Sequence, residues 1–308
     1  MSDTRITHPG TVKEDRPGLD RRGFLKTLGI AGASLTLADG ALAGTTTIED
    51  PYAILVDTTR CEGCRACEEI CAETNGLPEP ALDDSDLDVE RTTSETQWTV
   101  INRYETDAGE VFVKRQCMHC VQPACASACL TKAMYKTDDG PVIWRESKCM
   151  GCRFCMISCP FDMPKFEYES ANPKIQKCVM CFDRLKEGEE PACVDNCPGD
   201  ALLFGRRSEV IKEARRRIVE NSDDYVDHIY GEHEVGGTGW LYLSAVPFEQ
   251  IGLRTDLGTE SFPSLTSGFL YGVPVVFTTV PALLLGLHRA THQPDDPVET
   301  EDSEGGML

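Results

Sequence analysis

This sequence predicts an α+β fold, made of two small pseudo-symmetric units with insertions and one C-terminal transmembrane helix. Three observations carry that expectation. The 16 cysteines fall into four groups of four, with none left over. Short β-rich runs bracket those groups, giving strand, cysteine loop, short helix and strand at an irregular period. Near the far end, residues 268–287 (GFLYGVPVVFTTVPALLLGL) run for twenty positions without a charge.

The chain opens on a leader. Asp20, Arg21, Arg22, Gly23, Phe24, Leu25 and Lys26 form a twin-arginine pattern, with Asp20 where Ser or Thr is usual. A mildly apolar stretch, 27–38, leads to Ala41, Leu42 and Ala43, an A-x-A cleavage site, so residues 1–43 are expected to be a removable signal peptide. Export after folding suits a chain whose many free thiols would risk wrong disulfides in an oxidising compartment.

Residues 44–220 carry the cysteines. A β-rich run, 52–57 (YAILVD), precedes group one, Cys61, Cys64, Cys67 and Cys71. The acidic stretch 78–95 reads as an exposed inserted loop. Runs 97–104 and 110–115, joined by Thr106, Asp107, Ala108 and Gly109, give a hairpin signal ahead of group two, Cys117, Cys120, Cys125 and Cys129. Residues 141–145 (PVIWR) precede group three, Cys149, Cys152, Cys155 and Cys159, which Pro160 follows. Group four is Cys178, Cys181, Cys193 and Cys197, followed by the strand-like run 201–204.

The spacing of these groups points to iron. Groups one and three read C-x2-C-x2-C-x3-C, the bacterial ferredoxin run, in which three close thiolates hold one cluster and the fourth reaches another. Group two is the same loop with two residues added, and group four, C-x2-C-x11-C-x3-C, is the loosest. Four quartets therefore suit four [4Fe-4S] clusters with all sixteen cysteines as ligands. Thiols at i, i+3 and i+6 are poorly placed for disulfides, which require a set Cα separation and Cβ direction. Group four alone also suits a zinc ion between two short hairpins. Ile70, Phe154, Met156, Ile157 and Val194 stand between the cysteines and are apolar enough to keep water from a cluster.

Beyond the cysteines the chemistry is sparse. Ser208 is placed to N-cap a helix over 209–220, whose Arg215, Arg216 and Arg217 form either a docking patch or a solvated, Glu-paired face. The glycine-rich stretch 231–239 lacks the Walker lysine, and residues 221–267 read as a wrapping linker. His119, inside group two, either hydrogen-bonds a cluster sulfide or fills a turn. His228 and His233 lack the C-x-x-C-H context of attached haem. No residue recommends itself as catalytic, so substrate chemistry is expected in another subunit.

Residues 268–287 are long enough to cross ~30 Å of hydrocarbon as a helix. Pro274 and Pro281 are tolerated there when neighbours satisfy the freed carbonyls, which implies packing on a partner. Tyr271 suits one interface, and His288 and Arg289 the cytoplasmic one. The tail, 288–308, is polar, acidic and aperiodic, hence expected to be disordered and cytoplasmic. Thirty basic against 51 acidic residues give a net charge of −21, which argues against a nucleic-acid partner and suits salt adaptation, solubility or steering of a basic protein.

From residue 52 to the apolar segment the chain resembles the four-cluster ferredoxin-type subunits of membrane-bound oxidoreductases, above all those of the hydrogenase-2 type. The likeness rests on Lys114, Arg115, Gln116, Cys117, Met118, His119 and Cys120, and on Cys152 to Met156 with Cys159, Pro160, Pro164 and Lys165. Tyr230, Gly231, Glu232, Gly236, Gly237, Thr238, Val246 and Pro247 extend it. Leu130 and Ala72 depart from it, standing where many relatives have Pro after the last cysteine. The resemblance implies bacterial ferredoxin-like dicluster units that relay electrons without catalysis. The implied partners are a periplasmic catalytic subunit, [NiFe] hydrogenase or else a formate dehydrogenase or other molybdopterin enzyme, and an integral quinone-reactive membrane subunit. It also implies that groups one and four exchange Cys71 and Cys197, and groups two and three Cys129 and Cys159. Spacing alone leaves that pairing open.

Overall fold

A computed structural model of the chain describes residues 50–291; the leader expected at 1–43 and the tail beyond residue 291 lie outside them. In chain order the main elements are β1 (Tyr52–Asp57), α1 (Ala66–Asn75), β2 (Thr99–Thr106), β3 (Gly109–Gln116), α2 (Ala124–Ser127), β4 (Met134–Lys136) and β5 (Val142–Trp144). Then follow α3 (Phe154–Ile157), β6 (Lys165–Phe166), β7 (Ile175–Gln176), α4 (Phe182–Lys186), α5 (Ala192–Asp195), β8 (Leu202–Arg206), α6 (Arg207–Glu220), β9 (Trp240–Leu243) and α7 (Phe262–Thr291). Helix and sheet are mixed throughout.

Strand β1 organises the core because its apolar run serves both faces, as a central strand requires. It pairs antiparallel with β8 (Ile54 opposite Phe204) and parallel with β9 (Ile54 opposite Trp240). Ile54 and Val56 pack with Leu202, Trp240 and Tyr242 on the face that also meets Cys67 and Cys193. Ala53 and Leu55 point the other way, onto Val210, Ala214 and Ile218 of α6. Those helix residues recur every four positions, so one stripe of α6 covers the sheet. Residues 221–267 supply β9 and so complete the sheet. The remaining sheets are two-stranded: β2–β3, β4–β5 and β6–β7.

Several local expectations change. The hairpin before group two is tighter than its sequence suggested: Thr106 pairs with Gly109, which leaves only Asp107 and Ala108 in the turn, shifts the first strand by two residues and lengthens the second. Ser208 is not the N-cap of α6. The helix begins at Arg207, and Ser208 gives its backbone N–H and hydroxyl to Asp50, at 2.9 and 2.7 Å. Of the two readings of the arginine stretch of α6, the Glu-paired face holds for Arg215 and Arg216, which are exposed and meet Glu232 and, at 2.7 Å, Glu213, while Arg217 lies 2.8 Å from buried Asp57. The acidic segment is the exposed loop expected, with one short 3-10 turn at Asp84–Asp88, and it is anchored. Arg65 donates to the carbonyls of Ala81 and Asp83, at 2.7 and 3.0 Å, and Arg91 pairs with Glu68 at 2.6 Å, which ties the segment down over α1.

All sixteen cysteines lie in one compact unit, Thr47–Leu270, and the chain from Tyr271 on belongs to a second. Helix α7 is longer than the 268–287 expected, running through His288 and Arg289 to Thr291. It is long and apolar enough to cross a membrane, and none of its residues is buried.

Candidate metal centres

The fold gathers the sixteen cysteines into four new quartets, each taking three from one sequence group and one from another. Cys61, Cys64 and Cys67 share a cavity with Cys197, walled by Val56, Ile101 and Leu202. Cys178, Cys181 and Cys193 share a second with Cys71, Trp98 and Trp240. Cys149, Cys152 and Cys155 share another with Cys129, Met134 and Trp144. The remaining four are Cys117, Cys120, Cys125 and Cys159: the charges of Cys159, Cys117 and Cys125 all act on Cys120.

No disulfide forms among the sixteen. Among the described residues no three His, Cys, Asp or Glu side chains close tightly enough to share one metal ion. Three of the quartets line cavities, which suits a cubane better than the single zinc ion that group four alone allowed, with its ~2.3 Å zinc–sulfur bonds.

The loops are shaped by left-handed residues at one repeated position, two after the first cysteine of each group. Gly63, His119, Gly151 and Met180 hold φ of 70°, 45°, 71° and 54° there. A second repeat lies three residues after the last cysteine of groups two, three and four, at Lys132, Asp162 and Asp200, with φ of 53°, 51° and 47°. Left-handed residues within right-handed turns aim successive N–H groups inward and make a nest for an anion. The N–H of Gly151 accordingly donates to Cys149 Sγ, that of Met180 to Cys178 Sγ, and that of Met134 to Cys129 Sγ, each at 3.4 Å. Asn75 Nδ2 adds a contact of 3.7 Å to Cys71 Sγ. Hydrogen bonds to sulfur are one of the levers on a cluster's potential.

Burial pushes the Cys61 thiol up to about 11, and those of Cys71, Cys178 and Cys193 up to about 12. Such thiols ionise fully only when a metal takes the sulfur. Cys129 departs from this: burial raises it, but the N–H of Met134 and the hydroxyl of Thr131 outweigh burial and leave it lowered. Lys114, buried in the walls of the first two cavities, is pushed toward losing its proton by burial and held charged by Cys193, Cys67, Cys178 and Cys71.

Three buried ring nitrogens complete the fit. His119 Nδ1 accepts from the N–H of Val142 at 2.8 Å, which fixes its loop to β5 and leaves the proton on Nε2. Burial, then Lys177 and Lys136, hold this imidazole far below the ordinary histidine range, hence neutral. Trp144 Nε1 and Trp240 Nε1 find no protein acceptor, and His119 Nε2 has only a poorly aligned approach to the Cys178 carbonyl. Trp240 and Trp144 wall two of the cavities, where the sulfur of a cluster is the acceptor such orphaned donors require. Donor set, gaps and orphaned donors all fit iron–sulfur cubes, for which each quartet would supply four thiolates.

Sequence reasoning named every cysteine but missed the tryptophans and Lys177, and gave Lys114 no place at the cavities although it belongs to the family likeness. Gly63 and Gly151 could have signalled the left-handed turn; His119 and Met180 carry no such signal. His228 pairs with Glu234 at 2.7 Å, at the surface.

Comparison with known proteins agrees with this geometry. The profile of the 4Fe-4S dicluster domain matches residues 109–207, which include groups two, three and four. A protein of Nitratidesulfovibrio vulgaris is 46% identical over 93% of this chain and 80% of its own length. The hydrogenase-2 operon protein HybA of Escherichia coli O157:H7 is 32% identical over 78% of this chain and 86% of its own length. The iron–sulfur subunit of the nitrate-inducible formate dehydrogenase of Escherichia coli K12 is also 32% identical, over 70% and 76%. Identity over most of the length of such proteins, with the dicluster domain match, places the chain in the family of HybA-like, ferredoxin-type 4Fe-4S subunits of oxidoreductases.

Proposed function

We propose that this protein is a non-catalytic wire, relaying electrons through four [4Fe-4S] clusters between a periplasmic catalytic subunit and a quinone-reactive subunit in the membrane. One observation carries the reading: the quartets neighbour one another closely enough for their charges to act across, which supports a file. Cys67 of the first acts electrostatically on Cys193 of the second, Cys178 of the second on Cys117 of the third, and Cys125 of the third on Cys155 of the fourth. Only Cys64 and Cys152 are exposed, and they belong to the first and last quartets. A wire needs a buried middle and two open ends.

All sixteen cysteines serve as ligands, with Cys71, Cys197, Cys129 and Cys159 crossing between sequence groups. The matching left-handed turns of groups one and three support two ferredoxin-like units related by pseudo-symmetry. A twin-arginine leader and helix α7 support a protein on the periplasmic face, anchored by one span with its tail inside. The catalytic partner in this reading is a [NiFe] hydrogenase, supported by the HybA relative, of which 86% is matched. Equal identity to the formate dehydrogenase subunit makes a formate dehydrogenase, or another molybdopterin enzyme, the second reading. Purification of the detergent-solubilised complex with mass spectrometry of what accompanies it separates them. A nickel-bearing large subunit supports the first reading, a molybdopterin subunit the second, and purification without any redox partner contradicts both.

A further inference from the structure

We propose that Lys114 and Lys177 are fixed charges set between consecutive clusters, compensating the clusters' negative charge and favouring their reduced forms. This inference rests on the cluster reading above. Both side chains are buried, at 2% and 3% exposure, and neither pairs with a carboxylate among the described residues. Lys114 Nζ donates to Thr99 Oγ1 and, at 3.3 Å, to Gln116 Oε1, and lies 5.0 Å from the centre of the Trp240 ring. Lys177 Nζ donates to the carbonyls of Val142 and, at 3.0 Å, Cys178.

A buried ammonium with only neutral partners is among the costliest groups a protein can hold. An anion has to balance it, and the placement of the lysines says which. Lys114 stands in the walls of both the first and the second cysteine cavity. Lys177 adjoins Cys178 of the second quartet, and its charge acts on Cys125 and Cys159 of the third. Each of the first two gaps in the file therefore holds one lysine. No lysine lines the fourth cavity, where the cation is Arg153.

A cubane bound by four thiolates is anionic, and reduction adds another electron, so a nearby ammonium draws the couple toward the reduced form. The second cluster is flanked by Lys114 and Lys177, the third by Lys177 and by Lys136, whose Nζ donates to the Cys120 carbonyl at 2.8 Å, and the fourth receives none of these charges. Lys114 and Lys177 are positioning residues for electrons.

The test is potentiometric titration, followed by electron paramagnetic resonance, of the full-length protein purified without air. Signals are assigned with Cys→Ser variants of each quartet, and iron is counted per chain. Lys114→Met is expected to lower the reduced-to-oxidised ratio of the first and second clusters about tenfold at fixed potential, equivalent to about 59 mV for a one-electron couple. Lys177→Met is expected to do the same to the second and third, so that only the second responds to both. Lys114→Arg and Lys177→Arg are expected to keep wild-type potentials. Iron-replete Met variants with unchanged potentials, or with all four clusters shifted alike, overturn the proposal and leave the cluster reading intact. If the Met variants lose iron, retention of iron at wild-type potentials in the Arg variants supports charge, and loss there too overturns it. A wild-type protein without iron–sulfur signals ends the cluster reading itself.

Discussion

Gly63 and Gly151 occupy the same place in two loops, yet substitution should separate them. A Cβ on Gly151 meets nothing within 4 Å, whereas one on Gly63 runs into the ring of Phe112. Gly151→Ala is therefore expected to cost only left-handed strain, about 1–2 kcal/mol. Gly63→Ala must also move Phe112, so it should lower iron content as well as the denaturation midpoint; equal effects would contradict the geometry. The crossing of ligands is testable at the same scale. Cys71→Ser is expected to perturb the resonance signal that Cys178→Ser perturbs, and not the signal tied to Cys61. This pairing was not legible in the sequence, because the gaps after Cys129 and Cys159 are nearly equal and only folding brings Cys71 to Cys193. His119 was equally opaque: its left-handed backbone carries no glycine to announce it, and its partner, Val142, lies 23 residues away.

Among the elements, β1 was legible to the residue because a strand buried on both faces needs an uninterrupted apolar run. Leu55→Ala, at full burial in that strand, is expected to lower stability by about 2–5 kcal/mol, measured by denaturant titration. The start of α6 was misread because its serine answers to Asp50, 158 residues earlier in the chain, which no local signal reveals. Helix α6 should also carry an acid-sensitive tie. Hydrogen bonds from Arg216, joined by Arg217, hold the Glu213 carboxyl down to about 2 against an ordinary 4.5. Its folded value is depressed, so its stabilisation is complete above about pH 4.5 and is lost as pH falls toward 2. Amide exchange in α6 is expected to quicken over that window, and Glu213→Gln to exchange faster at neutral pH with a flatter pH response. An unchanged profile in the variant would show that the ion pairs hold nothing.

For the whole molecule, sixteen thiols with none spare announced the proposed cofactors from the sequence, while their order emerged only in three dimensions. The proposed file would run between Cys64 and Cys152, the two exposed cysteines, and the sequence order of the groups does not reveal it. The apolar span was visible as an uncharged run, although helix α7 extends beyond it to Phe262 and Thr291. Deletion of residues 268–287 is expected to release a soluble, still brown protein that no longer passes electrons to quinone; a truncated protein that stays in membranes on its own would refute the anchor. The most direct test of the wire is elemental. Iron and acid-labile sulfide are to be counted per chain in protein purified without air, and four filled quartets require about sixteen of each. Zinc in their place, iron far below that number, or cysteines joined to one another would contradict the account.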